Sequence, residues 1–411
     1  MQSRINCLKI HQPLSPTIKV LEDELSLLYV DIRDHISTQL DNNEKKAVSV
    51  LKSNPKYFFS YAKRFSKLKS NTGPLKDDKE ILHNDPEEMV NLLQKQYTSV
   101  FSDPSSPSCQ QDPQIEPHNF SIQDIEFVNE DIVKAIDEID PYASTSENDI
   151  PAKVLKECKH NLCTPIHMIW KRSMESETVP AIFKTQFITP VYKKGNRTKP
   201  ENYRPISLTS HVIKIFERII RNRLVVFLEG NTILNPTQHG FRKGRSCLTQ
   251  LLNHIDKILQ NLINNHETDV IYLDYAKAFD KVDHNILIKK LYAYGIRGKL
   301  LNWIKDFLTK RYQTVVVNGK HSSYELVISG VPQGSVLGPI LFILYINDLK
   351  TKVQDSEIGS FADDTRASKS ISIADDTKFL QEDLNRIVDW STANNMILHE
   401  QKFELLSYRT K

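Results

Sequence analysis

Three aspartates carry the most specific chemical signal in this chain of 411 residues. Asp274 ends a short apolar run, Val270-Ile271-Tyr272-Leu273. Asp363 and Asp364 stand side by side in Ser360-Phe361-Ala362-Asp363-Asp364-Thr365. A strand end is a rigid place from which to aim a carboxylate. The pattern around Asp363 predicts a hairpin with the two acids at its tip, set beside Asp274 if the strands pair. Like charges that close repel strongly unless cations lie between them. Such acids are either solvent-exposed turn residues or ligands of hard cations. Mg²⁺ favours a few carboxylates together with phosphates and water. Two divalent ions can activate a hydroxyl nucleophile and stabilise a pyrophosphate leaving group. That is the chemistry of template-directed nucleotide transfer.

Other residues fit the same chemistry. Phe279, five positions after Asp274, can form a floor under an incoming sugar and clash with a 2′-hydroxyl; on its own it reads as a core aromatic. Asp280 and Asp283 read as helix caps rather than ligands. Gln333-Gly334 lies in Gly330-Val331-Pro332-Gln333-Gly334-Ser335-Val336-Leu337-Gly338-Pro339, a loop that leads into an apolar helix at about 336–349. Glycine lets the backbone approach a base pair closely, and a Gln amide can hydrogen-bond a sugar or base. Arg204, Lys214, Arg242 and Arg245 are candidates to grip triphosphate or template phosphate.

The surrounding elements must position these groups. Helical spacing of Val20-Leu21, Leu25, Leu28-Tyr29 and Ile32 predicts helices through about residue 100. Lys56 to Phe65 mixes aromatics with cations and reads equally as a base-stacking surface or an amphipathic core helix. Ser102 to His118 has the Pro/Ser-rich composition of a linker. Helical patterns follow at 120–139 and from Ile150-Pro151 to about Leu162. Phe187 to Tyr192 and Asn202 to Leu208 read as extended, with helices at 211–228 and 247–265. Tyr312–Val317 and Tyr324–Ser329 predict a hairpin, and Asn318-Gly319 suits a type I′ turn.

Charge is unevenly spread. Residues 101–150 carry 12 acids against one lysine, and 184–245 carry 13 Lys/Arg against 3 Glu. The near-neutral total of +3 therefore averages opposed segments, and the basic one suits a polyanion. Five scattered cysteines imply no disulfide framework, and a reducing, intracellular setting is expected, nuclear or cytoplasmic. Cys158, His160, Cys163 and His167 lie close together, but in no standard zinc spacing. There is no signal-peptide pattern, and the longest strongly apolar run, 340–346, is too short to span a bilayer.

Taken together, these words resemble the reverse transcriptases of non-LTR retrotransposons, nearest to the jockey-like group. The matching segments are Asn202 to Leu208, Gln238-His239-Gly240-Phe241-Arg242, Leu273 to His284, Gly330 to Pro339, and Phe361-Ala362-Asp363-Asp364. They cover roughly 151–411, and 54–101 looks like the connector that follows an endonuclease in such polyproteins. The resemblance implies an α+β right-hand polymerase with mixed helical fingers at 151–265, a ferredoxin-like palm at 266–411 and a fingers hairpin inserted at about 312–329. A helical extension at 1–101 and an acidic linker and helix at 102–150 would precede them. It assigns Asp274, Asp363 and Asp364 to a site for two Mg²⁺ ions, with Mn²⁺ as a substitute. It assigns Phe279 to sugar discrimination and Gln333 to nucleotide and template contact, and matches Arg204 and Lys214 less closely. Lys402 falls where related polymerases are proposed to protonate pyrophosphate. RNA template, DNA primer and deoxynucleotides are the implied partners, with no membrane.

Some features depart from the family pattern. The usual Gly-Pro-Asp-Gly loop is replaced by Ser144-Thr145-Ser146-Glu147-Asn148-Asp149, and His399 stands where asparagine is common. The expectation is an internal piece of a larger element, without thumb, endonuclease or ribonuclease H. The competing expectation is a catalytically inactive nucleic-acid-binding remnant. A cyclase-type palm lacks a reason for Gly240-Phe241-Arg242, and a bulky Phe279 disfavours an RNA-dependent RNA polymerase.

Overall fold

The computed structural model describes residues 16–53, 58, 72–102, 115, 117–146, 149–373 and 375–409. They fall into two compact units, Met1–Asn71 and Thr72–Lys411. Among its described residues the first contributes a long helix, α1 (Pro16–Ser49), where the apolar spacing predicted one. The aromatic-cationic segment lies outside the described residues apart from Phe58, as does most of the Pro/Ser-rich stretch.

The second unit opens with strands, where helix was expected. Leu75–Lys76 (β1) pairs antiparallel with Leu82–His83 (β2), and only then does α2 (Pro86–Thr98) begin. The Asp77 carboxylate accepts the Lys79 and Ile81 amides at 2.9 and 2.8 Å and closes the turn. Such local capture of backbone donors competes with helix. The predicted 120–139 helix starts only at Asn129, as α3 (Asn129–Asp137). Ahead of it the chain is extended and bonded to the segment after residue 293: Ile122 donates to Gly295 and accepts from Arg297, both at 2.9 Å. Two helices follow, α4 (Ala152–Glu157) and α5 (Lys159–Glu175). On α5 the Cys163 thiol donates to the His160 carbonyl and the His167 ring bonds the Phe127 carbonyl, so both are used locally.

Two sheets organise the rest. In chain order the elements are β3 (Thr185–Tyr192), β4 (Tyr203–Leu208), α6 (His211–Gly230), α7 (Cys247–Ile263), β5 (Glu267–Leu273), α8 (His284–Ala293), α9 (Gly298–Leu308), β6 (Arg311–Val317), β7 (Lys320–His321), β8 (Glu325–Val327), α10 (Gly338–Ile346), β9 (Glu357–Phe361), β10 (Asp364–Ile371), α11 (Asp375–Ala393) and β11 (Glu404–Tyr408). One sheet has the order β4-β3-β6-β7, with β8 also on β6. Its β3 and β6 run parallel, so the 311–327 hairpins join the 185–208 strands across more than a hundred residues. Asn318 and Gly319, at φ 52° and 75°, form a two-residue loop between β6 and β7, tighter than the sequence implied and with the positive φ values of type I′. The second sheet, β11-β5-β10-β9, is antiparallel throughout.

Helix α10 is apolar all round (Gly-Pro-Ile-Leu-Phe-Ile-Leu-Tyr-Ile) because it runs through the middle of the core. It packs among Leu287 and Leu291 of α8, Trp303 and Phe307 of α9, and the inner face of the second sheet, which presents Leu273, Ala367 and Ile358. Beyond α10 the chain tightens into 3₁₀ turns at Asn347–Lys352. There the fully buried Lys290 pairs with Asp348 at 2.6 Å and donates to the Tyr345 carbonyl at 2.6 Å. No helix among the described residues is long and apolar enough to cross a membrane.

Removing one member of a buried pair strands the other charge. Lys290→Met should cost about 3–5 kcal/mol in urea unfolding, and adding Asp348→Leu should recover much of it. Equal stability of Lys290→Met and wild type would contradict this role.

Candidate active site

The catalytic candidates meet through strand register. Leu273 of β5 pairs with Thr365 of β10, so the next position sets Asp274 opposite Asp364. Opposed residues in an antiparallel pair hold their Cβ atoms about 4.5–5.5 Å apart. Phe361 pairs with Asp364, which leaves Ala362-Asp363 as a two-residue loop. Asp363 thus sits at the tip, as expected, while Asp364 is the first residue of the returning strand. Burial pushes the Asp363 carboxyl above the usual range, and Asp364 and Asp274 raise it further while Arg204 opposes them. Asp363 therefore senses both of the other acids electrostatically.

Cations face these acids. The Lys402 ammonium bonds Asp274 Oδ2 directly, and the 3₁₀ turn that carries it, Glu400–Lys402, is tied down by His399 N–H donating to the Asp274 carbonyl at 2.8 Å. Lys193 was not among the cations singled out in the sequence. It leaves β3 beside the strand that carries Arg204, and its amide donates to Asn202 at 2.9 Å. Burial holds its pKa down, assisted by the neighbouring Arg204 and Lys402, and Asp274 opposes them. Lys193, Arg204 and Lys402 thus form one cationic rim around Asp274 and Asp363. The nearness of Lys193 to Arg204 follows from the pairing of β3 with β4, which no local pattern announces.

Three of the expected cations do other work. Lys214 on α6 has Glu217, Arg218 and Asp149 as charged neighbours, not the site aspartates, and burial lowers its pKa. Arg242 forms a two-pronged contact with Glu229 at 2.9 and 2.6 Å, donates to the Asn235 carbonyl at 2.7 Å, and keeps only 6% of its side chain exposed. It shapes the 235–245 loop from within. Arg245 likewise donates to the Pro236 carbonyl.

That loop has a different importance. The buried Gln238 side chain accepts from the Ala362 and Gly240 amides at 2.9 and 2.7 Å and donates to the Ala362 carbonyl at 3.2 Å. It behaves as a second peptide group clamped onto the turn that carries Asp363. The turn needs such a clamp because Ala362 has φ 54°, which costs a non-glycine residue roughly 1–2 kcal/mol. Gly240 presses so close that a Cβ there would lie 2.3 Å from the Ala362 nitrogen. His239 N–H also donates to Ser360 at 2.9 Å, and Ser360 to Thr237 at 3.1 Å. Arg242 and Arg245 of this loop were read as phosphate grips; the observed contacts of Gln238-His239-Gly240 make the loop a buttress.

The loop before α10 is stitched to its surroundings just as firmly. Phe279 stacks on Phe342 of α10 at 4.2 Å and meets Phe241 edge-on at 6.2 Å. Val331 N–H donates to the Phe279 carbonyl at 2.9 Å and Gly330 N–H to Val282 at 2.8 Å. Gln333 donates its side-chain amide to Asp280 Oδ1 at 2.7 Å and accepts Ser207 N–H on its backbone carbonyl at 2.7 Å. Gly334, at φ 117°, lies so near β4 that a Cβ would stand 2.6 Å from the Ser207 carbonyl oxygen. The fully buried Glu217 of α6 accepts the Val336 and Leu337 amides at 2.7 and 3.0 Å, and burial raises its pKa. Sequence reasoning missed Glu217, since a glutamate among helical apolar residues gives no local hint of a distant loop. Asp283 caps α8 as expected, accepting Asn285 and Ile286 amides. Asp280 does not cap; burial pushes its carboxyl up to about 6 while it holds Gln333.

The donor set at 274, 363 and 364 consists of hard carboxylate oxygens, the kind Mg²⁺ selects. No three His, Cys, Asp or Glu side chains stand ready to hold a metal among the described residues. Lys402 instead balances the charge of Asp274. The residues present suit a hard divalent cation in chemistry and charge, once Lys402 moves aside.

Two outcomes follow. Gln238→Ala leaves the Ala362 and Gly240 amides without their acceptor, and should lower stability by about 1–3 kcal/mol. Gln238→Glu, which keeps the acceptor, should restore part of that loss in thermal unfolding. For Asp280, the folded pKa lies above the unfolded one. Its neutral form is favoured at low pH, and that contribution is lost as pH rises from about 4 through about 6. Asp280→Asn should therefore raise stability at pH 7 by about 2 kcal/mol and flatten the profile between pH 4 and 7. An unchanged profile would count against the assignment.

The family profile described as reverse transcriptase (RNA-dependent DNA polymerase) matches residues 191–411. The probable RNA-directed DNA polymerase from transposon BS of Drosophila melanogaster is 30% identical over 273 residues, 64% of this chain and 30% of that protein. The RNA-directed DNA polymerase from mobile element jockey of the same organism is 28% identical over 329 residues, 77% of this chain and 36% of that protein. The matched regions thus make up about a third of the length of these curated relatives. The profile takes in all three aspartates, the Gln238 buttress and the Gly330–Pro339 loop, and the chain belongs to the reverse transcriptase family.

Proposed function

We propose that this chain copies an RNA template into DNA, adding deoxynucleotides to a primer 3′-hydroxyl as part of a non-LTR mobile element. The observation that carries the reading is the register that sets Asp274 against the Asp363-Asp364 hairpin inside a cationic rim. The second sheet with its helices serves as the palm. The first sheet serves as the fingers, and the parallel pairing of β3 with β6 supports assigning the 312–329 insertion to it.

Asp274, Asp363 and Asp364 supply the ligands for a pair of divalent ions, magnesium or manganese. Bound there, the ions would acidify the primer hydroxyl and offset the charge of the departing pyrophosphate. Arg204 and Lys193 attract the triphosphate toward the aspartates. Lys402 leaves Asp274 when the carboxylate takes up its ligand role, and its freed ammonium is placed to give a proton to pyrophosphate. Phe279, fixed between Phe342 and Phe241, forms the wall that excludes a 2′-hydroxyl. Gln333 presents an amide held by Asp280 to the incoming base pair, and Gly334 lets that segment lie close against β4.

Primer extension on a homopolymer RNA separates this from a binding-only remnant. Asp363→Asn should lower the rate by roughly a hundredfold or more, equivalent to about 3 kcal/mol of transition-state stabilisation. Chelation of divalent ions should abolish extension. Extension that survives Asp363→Asn would remove the carboxylates from the mechanism, and RNA binding without any extension would leave only the remnant.

A further inference from the structure

Behind the hairpin lies a cavity that the polymerase reading does not use. Its volume is about 410 Å³, within the range of small-ligand sites. Pro236, Thr237 and His239 form one wall, α7 contributes Gln250, Asn253, His254 and Lys257, and β9 and β10 contribute Glu357, Gly359, Arg366 and Ser368.

Arg366 is the unusual member. Its side chain points from the middle of β10 into the cavity wall and the residue is only 9% exposed. Its Nε is buried without a hydrogen-bond partner, and although Glu357 attracts it from a distance, no carboxylate lies within ion-pair reach of it among the described residues. Leaving a buried guanidinium unpaired is costly. Gly359 makes room for it: a Cβ there would lie 2.6 Å from the guanidinium carbon. The other charges lining the cavity are Lys257, paired with Glu357, and Lys350, which donates to the Ser356 carbonyl. Three cations against one carboxylate leave the lining about two charges positive. The His254 ring adds none, because burial and Arg366 hold its pKa down to about 4, and it bonds the Tyr272 hydroxyl instead.

We propose that this cavity binds a terminal phosphate group, with Arg366 as its anchor. A phosphomonoester carries about two negative charges and several strong acceptor oxygens, which match both the excess charge and the unpaired donors. Gln250 and Asn253 offer amide groups to the organic part of the ligand. The phosphate belongs either to a free mononucleotide or to the end of a nucleic-acid strand. The inference does not depend on the polymerase reading, since it concerns binding at residues outside the aspartate site.

The test is calorimetric titration in the presence of a chelator, so that divalent ions do not contribute. The probes are deoxyadenosine 5′-monophosphate and a short oligonucleotide with and without a 5′-phosphate. Wild type should bind a phosphate probe saturably at millimolar concentration or below. Arg366→Met should weaken that binding at least about tenfold, and Arg366→Lys should restore part of it. Binding of the mononucleotide identifies a free-nucleotide site; preference for the phosphorylated oligonucleotide identifies a strand end. Without ligand, Arg366→Met should melt no lower than wild type, because it removes an unpaired buried charge. Equal affinity in wild type and Arg366→Met, the absence of saturable binding by every probe, or a marked loss of stability in Arg366→Met would overturn the proposal.

Discussion

Mutual repulsion among carboxylates is the constraint around which this molecule is built. Asp274, Asp363 and Asp364 are brought together by backbone pairing that has no regard for their charge. The surrounding structure supplies what opposes the repulsion. Lys402 rests on Asp274, and Lys193 and Arg204 raise the positive potential on the open side. The hairpin tip, strained at Ala362, is held by the Gln238 amide. A site that must gather negative charge is less stable than its neighbours, and the rigid core around α10 carries that cost.

Much of this was legible in the sequence, for identifiable reasons. The run ending at Asp274, the acids of the hairpin and the Gly-rich loop are all local patterns whose period or turn chemistry survives without tertiary context. Asp283 announced itself as a cap because capping is local. Arg242 was misread because a cation in a glycine-containing loop looks the same whether it faces solvent or its own protein. Glu217 and Lys193 act on segments that are distant or joined only through strand pairing, and no local pattern encodes that. Within the helical stretch expected before residue 100, a small hairpin at 75–83 stands ahead of α2 because one carboxylate, Asp77, captured the backbone donors of its own turn.

The buried polar residues divide the labour in a consistent way. Lys290 and Asp348 lock the segment after α10, Glu217 locks the segment before it, and Asp280 locks the side chain of Gln333. Each is a charged group in a place where burial disfavours charge, and each meets backbone or amide partners that fix a loop. The core is therefore specified by polar fastenings at both ends of an otherwise featureless apolar helix. A helix apolar on every side has no preferred rotation of its own, and these fastenings supply one.

The contact between Gly334 and Ser207 has a mechanical consequence. It joins the loop ahead of α10 to an outer strand of the other sheet with no side chain between the backbones. Two layers welded at such a seam cannot slide past each other there. A side chain wedged in at position 334 would push the β4 edge away from the loop that carries Gln333 and lengthen the Ser207 to Gln333 hydrogen bond.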